Sequence, residues 1–151
     1  MLQNAHRLGH HRWLCLQLFE ALGTHVAATS DPTVKPVLAA HAHHLAWHAE
    51  LLAQRFPELD ELDAATLTVP ADAAIEQQVA LLRRAPTTDE LLYSTYRVVL
   101  PRLLADCSEQ LAEVDALTDG PTARVLTLIV RDLADDVRMG EVLLRQGGPL
   151  G

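Results

Sequence analysis

The stretch His41-Ala-His-His44-Leu-Ala-Trp-His48-Ala-Glu-Leu51 decides how the rest of the chain is interpreted. On a helix with about 3.6 residues per turn, positions 41, 44 and 48 lie on one stripe. Three imidazoles therefore stand where a helix usually places leucine. Because an unpaired buried polar group costs roughly 1–3 kcal/mol, another part of the chain must supply partners for them. The same stripe also carries the apolar residues that would face the core: Val37, Leu45, Leu51 and Leu52.

The composition indicates one helical domain and argues against several classes of partner. The chain has 151 residues, of which 49% are hydrophobic and only 4% aromatic, and its formal net charge is −8. Leucine and alanine dominate, which is typical of helical bundles, and residues 1–151 are expected to form a single domain. The negative charge argues against a nucleic acid or an anionic membrane as partner.

A cytoplasmic location is expected from what the sequence lacks. No signal peptide is evident, and no apolar run approaches the roughly 20 residues of a membrane span. The two cysteines, Cys15 and Cys107, have no metal-binding spacing and each lies on the apolar stripe of its own helix. They are expected to pack as small hydrophobic residues, which suits a reducing compartment.

Hydrophobic periodicity predicts four long helices with one long connection in the middle. Helices 1 and 2 are predicted at about 2–29 and 33–56, with Asp31 as N-cap of the second. Helix 3 opens at the capping box Thr87-Thr-Asp-Glu90, and helix 4 is predicted at about 122–146. The crossover between helices 2 and 3 is expected to be irregular, apart from a short amphipathic helix around 72–84. This pattern favours an all-α four-helix bundle with a crossover.

Proline and glycine mark the breaks in this pattern. Pro101 lies inside helix 3, where it removes one hydrogen-bond donor, and a kink is expected there. Asp119-Gly120-Pro121 is expected to stop one helix and start the next. Gly147-Gly148-Pro149 is expected to end helix 4.

The partners expected for the histidine stripe are acids on helix 4. Asp132 and Asp136 are one turn apart and fall at the edge of the apolar face of that helix. In an antiparallel bundle the midpoints of helices 2 and 4 lie at one height, about 8–10 Å apart, which these side chains can span. Glu20 lies near the same height, on a weaker flank of helix 1, and is a further candidate.

Two interpretations explain this convergence. In the first, His and Asp form a hydrogen-bonded polar network in the core. In the second, they coordinate a divalent metal ion, which neutralises the buried negative charge. Mixed nitrogen and oxygen ligands favour iron, with manganese or zinc as alternatives. The candidate metal ligands are His41, His44, His48, Asp132, Asp136 and Glu20, whereas Tyr96 and Cys107 are expected only to pack.

Glu20, His41-x-x-His44, the long crossover and Asp132 to Asp136 together resemble a divergent ferritin-like bundle. That superfamily includes di-iron and di-manganese carboxylate oxidases. The resemblance implies that Glu20 matches the ligand of helix 1 and His44 the histidine of helix 2. His41 then stands where a bridging glutamate would be, and Asp132 or Asp136 replaces the Glu-x-x-His motif of helix 4. Helix 3 offers no inward carboxylate near Tyr96.

Two functions are consistent with these observations. The first is a metal-dependent oxidase or oxygenase acting on a small molecule. The second is a non-enzymatic ferritin-like binding or assembly protein that keeps a metal-free His/Asp network. The second interpretation includes a possible homodimer through an exposed apolar patch around Trp13 and Leu14.

Overall fold

A computed structural model describes residues 1–147, and every regular element within them is helical. The predicted all-α class is confirmed. The predicted end of helix 4 at Gly148 and Pro149 lies outside the described residues. Along the chain the elements are α1 (Leu2–Ala28), α2 (Val34–Ala53), α3 (Ala64–Leu67), α4 (Ala73–Arg83), α5 (Thr88–Tyr93), a π-helical segment (Ser94–Val99), α6 (Leu100–Glu113) and α7 (Gly120–Gln146).

Four long helical stretches enclose the core, because α5, the π segment and α6 follow one another without a break. Helix α1 packs on α2, α2 on α7, α7 on α6, and α6 on α1. The pairs His44–Asp136 and His48–Asp132 show that α2 and α7 run in opposite directions. Between the helices lie fully buried leucines and an isoleucine, among them Leu18, Leu22, Leu45, Leu103 and Ile129. Within residues 1–147, no helix combines the length and hydrophobicity needed to cross a membrane.

Side-chain caps fix most helix starts where the sequence places them. Thr87 accepts a hydrogen bond from the backbone N–H of Glu90, which opens α5 as predicted. Asp31 accepts from the N–H of Thr33 at 2.8 Å and so orders the turn before α2, but the N-cap of α2 is Thr33 and not Asp31 as expected. Asp119 caps α7, and Gly120 is the first residue of that helix, whereas the preceding helix already ends at Glu113. Gly120 therefore does not end a helix as expected.

The crossover between α2 and α5 contains the predicted short helix, α4, and one turn that was not predicted, α3. Asp63 caps α3 by accepting from the N–H of Thr66 at 2.7 Å. Leu67 of α3 is fully buried, and its carbonyl lies so close to Gly9 of α1 that any side chain at position 9 would collide with it. This close contact fastens the crossover to α1.

The irregularity predicted at Pro101 takes the form of the π-helical segment just before it. The N–H of Leu100 bonds to the carbonyl of Thr95, five residues earlier. In a regular helix the Pro101 ring would collide with the carbonyl of Arg97, and the wider turn relieves that contact. Tyr96 is buried in this segment against Gly140 of α7, where a Cβ would overlap its ring.

Gly140→Ala is therefore expected to lower the free energy of unfolding by about 2–3 kcal/mol, because the new methyl group displaces Tyr96. The matched control is Gly23→Ala in α1, where a Cβ meets nothing within 4 Å. That control is expected to gain about 0.5–1 kcal/mol, since alanine loses less conformational freedom in a helix than glycine. Urea unfolding measures the free energy of unfolding of both variants. Equal changes in the two would contradict the close packing of Tyr96 against Gly140.

Candidate functional site

Three of the four histidines of α2, namely His41, His44 and His48, face α7, and they differ in burial. His41 and His48 are buried, whereas the side chain of His44 is 36% exposed. Asp136 on α7 is buried as well, and Asp132 one turn away is partly exposed. The structure therefore brings five of the six sequence-predicted ligands together between α2 and α7.

Asp136 is the centre of this cluster. Its two carboxylate oxygens lie 3.1 and 2.9 Å from Nδ1 of His44, and one of them lies 3.3 Å from Nε2 of His41. A carboxylate only accepts hydrogen bonds, so Nδ1 of His44 carries the proton that it donates. Two imidazoles from one helix thus hold a single buried carboxylate from the facing helix.

Tyr96 completes the cluster from a third helix. Its hydroxyl lies 2.6 Å from Nδ1 of His41, and the two rings meet edge to face with centroids 5.5 Å apart. With Nε2–H of His41 turned to Asp136, Nδ1 is free to accept the hydrogen bond that the Tyr96 hydroxyl donates. The expectation that Tyr96 only packs was wrong. The signal available in the sequence was its inward position at the height of His41, close to Pro101.

His48 and Asp132 form a separate pair one turn along. Nε2 of His48 donates to Asp132 at 2.9 Å. The other ring nitrogen, Nδ1, is buried without a hydrogen-bond partner among residues 1–147. The His44 and His48 ring centroids are 6.4 Å apart, so the two pairs are neighbours without sharing a hydrogen bond.

Burial determines the charge state of the cluster. It lowers the pKa of His41 and of His48 below the usual 6.5, and the nearby Asp136 and Asp132 only partly offset this. Burial also raises the pKa of Tyr96 well above 10. At neutral pH the cluster therefore contains neutral buried imidazoles and a protonated phenol, arranged around carboxylates that accept their hydrogen bonds.

Glu20 lies outside this cluster, which corrects its assignment as a candidate ligand. Its side chain is exposed and pairs with Arg83 of α4 at 2.5 Å. Helix α1 turns Leu18 and Leu22 to the core, and this rotation leaves position 20 on the outer surface beside α4. The apolar patch expected at Trp13 and Leu14 is corrected too, because Leu14 is buried and Trp13 partly buried.

The donor atoms of the cluster are paired with one another and with Tyr96. Within residues 1–147, no group of three or more His, Cys, Asp or Glu side chains is arranged to hold a metal ion. Asp136 is already shared by two imidazoles, Nδ1 of His41 is occupied by Tyr96, and Asp132 belongs to a different pair. The ferritin-like di-iron pattern would also need a carboxylate at the position of Tyr96 in the π segment and an inward-facing Glu20, whereas Glu20 is exposed.

In comparisons with protein-family models, with curated proteins and with solved structures, nothing matches this chain. The geometry of the cluster and the chemistry of its residues are therefore the basis for any functional assignment.

The free energy of unfolding is expected to fall as the pH drops below 6.5. The unfolded chain binds protons on His41 and His48 near pH 6.5, whereas the folded chain binds them only at lower pH, so acid favours unfolding. Urea unfolding at a series of pH values measures the slope. His48→Leu removes one of these groups and should flatten the slope, whereas substitution of the exposed His43 by Leu should not. Identical slopes for the two variants would contradict the burial of His48.

Proposed function

We propose that this chain is a ferritin-like four-helix bundle with a non-enzymatic binding function, in which the His–Asp–Tyr cluster is a structural network and not a metal centre. The observation that carries the proposal is the direct pairing of each cluster carboxylate with imidazole at 2.9–3.3 Å. Each carboxylate and each imidazole of the cluster thus has at least one hydrogen-bonding or ion-pair partner within the protein, although Nδ1 of His48 has none among residues 1–147.

The order and packing of the helices support the bundle part of the proposal. The long helices α1, α2, α6 and α7 contact one another in a closed ring. The connection between α2 and α5 is long and contains α3 and α4, whereas the other connections are short. Four long helices with one extended crossover are the arrangement that ferritin-like bundles share.

The proposed role of the cluster is to fix the register of α2 against α7. A slip of one helical turn moves a side chain by about 5.4 Å, which is beyond hydrogen-bond reach. In the observed register His44 pairs with Asp136 and His48 pairs with Asp132. Any other register would leave one or both of these carboxylates without an imidazole partner. Such buried pairs contribute little net stability but make the alternative packings unfavourable.

The competing hypothesis is a metal-dependent oxidase or oxygenase with iron, or manganese or zinc, held by His41, His44 and Asp136. Its support is that two imidazole nitrogens face one carboxylate, which is the ligand set of mononuclear iron enzymes. Metal content distinguishes it from the structural network.

Metal analysis of protein purified without a histidine tag is the first test. We expect well below one metal ion per chain, and no rise in the melting temperature when iron(II) or cobalt(II) is added. His44→Ala and the matched control His43→Ala, at an exposed position, should not differ in metal content. Stoichiometric metal that is lost in His44→Ala but kept in His43→Ala would overturn the proposal in favour of the metal centre.

Asp136→Asn tests the structural role directly, with unfolding measured in the presence of EDTA. Replacing the carboxylate by an amide removes the acceptor that both His41 and His44 face, and should lower the free energy of unfolding by about 2–3 kcal/mol. Asp135→Asn is the matched control, because Asp135 is exposed and pairs only with Arg138. The control should change stability by less than about 0.5 kcal/mol. Equal stability of the two variants would show that the cluster has no such role.

A further inference from the structure

A cavity of about 240 Å³ lies between α1, α4 and α6, on the side of the bundle away from the His–Asp–Tyr cluster. Its floor is apolar and is formed by Leu14, Ile75 and Leu103. Trp13 forms part of the wall. The volume is below the roughly 300–1,000 Å³ of sites for drug-sized molecules, so the cavity suits a smaller organic molecule.

The charged groups of residues 1–147 in and next to this cavity comprise two arginines and four carboxylates, so negative charge is in excess. The two arginines that line it each have a carboxylate partner outside the lining: Arg7 with Glu113 at 2.5 Å, and Arg102 with Asp72 at 2.8 Å. Of the lining acids, Asp106 is 3.7 Å from Arg102, and Glu109 forms no ion pair within residues 1–147. The rim therefore favours a positively charged group.

His11 lines the cavity and adds a hydrogen-bond acceptor to it. Gln110 donates through its amide nitrogen to the carbonyl of Asn4, so the amide oxygen is the atom that faces His11, at 2.8 Å from Nε2. Nε2 therefore carries the ring proton, and Nδ1 has a lone pair. Burial lowers the pKa of His11 to about 4, so the ring is neutral at physiological pH. Nδ1 has no hydrogen-bond partner in the part of the chain that the structure describes.

We infer that this cavity binds a small organic ammonium compound with an apolar body. The ammonium group would lie between Asp106 and Glu109, against the ring of Trp13, and would donate a hydrogen bond to Nδ1 of His11. The apolar body would cover Leu14, Ile75 and Leu103. Carboxylates and an indole face are groups that bind an ammonium ion. This inference supplies the ligand class for the proposed binding function and rests on it.

Calorimetric titration with phenethylamine tests the inference, with phenethyl alcohol and phenylacetate as neutral and anionic probes of the same shape. Binding of the amine at least about tenfold tighter than either of the other two is expected, because only the amine brings a positive charge to the carboxylates. The emission of Trp13, recorded in a Trp47→Phe background, should change on binding.

Two variants locate the site. Glu109→Gln removes the charge without changing shape and should weaken amine binding about threefold, because Glu109 is exposed. Glu50→Gln, on the exposed face of α2, is the control and should bind as the parent protein does. No binding of the amine, equal binding of the alcohol, or equal affinity of Glu109→Gln and Glu50→Gln would each overturn the ammonium site. The proposed function is tested separately. It would fail if the protein held a metal ion that is lost in His44→Ala, and the amine titration does not measure metal.

Discussion

The buried carboxylate of Asp136 is the constraint that organises this protein. A carboxylate in a helical core is tolerated only when partners neutralise or hydrogen-bond it. Here two imidazoles from α2 face it, and Tyr96 holds one of these imidazoles from the opposite side. Helix α2, the π segment and α7 are therefore joined at one height by directional hydrogen bonds and ion pairs. The leucines around them contribute non-directional packing.

Tyr96 reaches His41 because the helix that carries it is locally widened. The π segment inserts an extra residue into a turn just before Pro101, and Gly140 leaves room for the ring on α7. Three residues thus act together: Pro101, which disfavours regular helix, Tyr96 five residues before it, and Gly140 of α7, which has no side chain and leaves room for the Tyr96 ring. Widened turns of this kind are often found at functional sites, and here one supplies the third member of a hydrogen-bonded chain.

The sequence predicted the parts of the structure that depend on periodicity and capping. The long helices, the start of α5 at Thr87 and the meeting of α2 histidines with α7 acids all follow from the spacing of residues on a helical face. Glu20 was misplaced because the flank of a long helix becomes surface or core according to what packs on it, and here Glu20 stays exposed beside Arg83 of α4. The π segment was not predicted because a period of about 3.6 residues contains no sign of a wider turn. Burial of Leu14 depends on the docking of α4, which local patterns do not show.

The cluster and the cavity have no residue in common, and they occupy opposite sides of the core. Substitutions at Ile75 or Leu103 alter the shape of the cavity without touching Asp136 or its partners. In evolutionary terms the two regions are separable, so the residues that line the cavity can diversify while the framework that holds α2, the π segment and α7 together is retained. A bundle built in this way can carry different cavity linings on one framework.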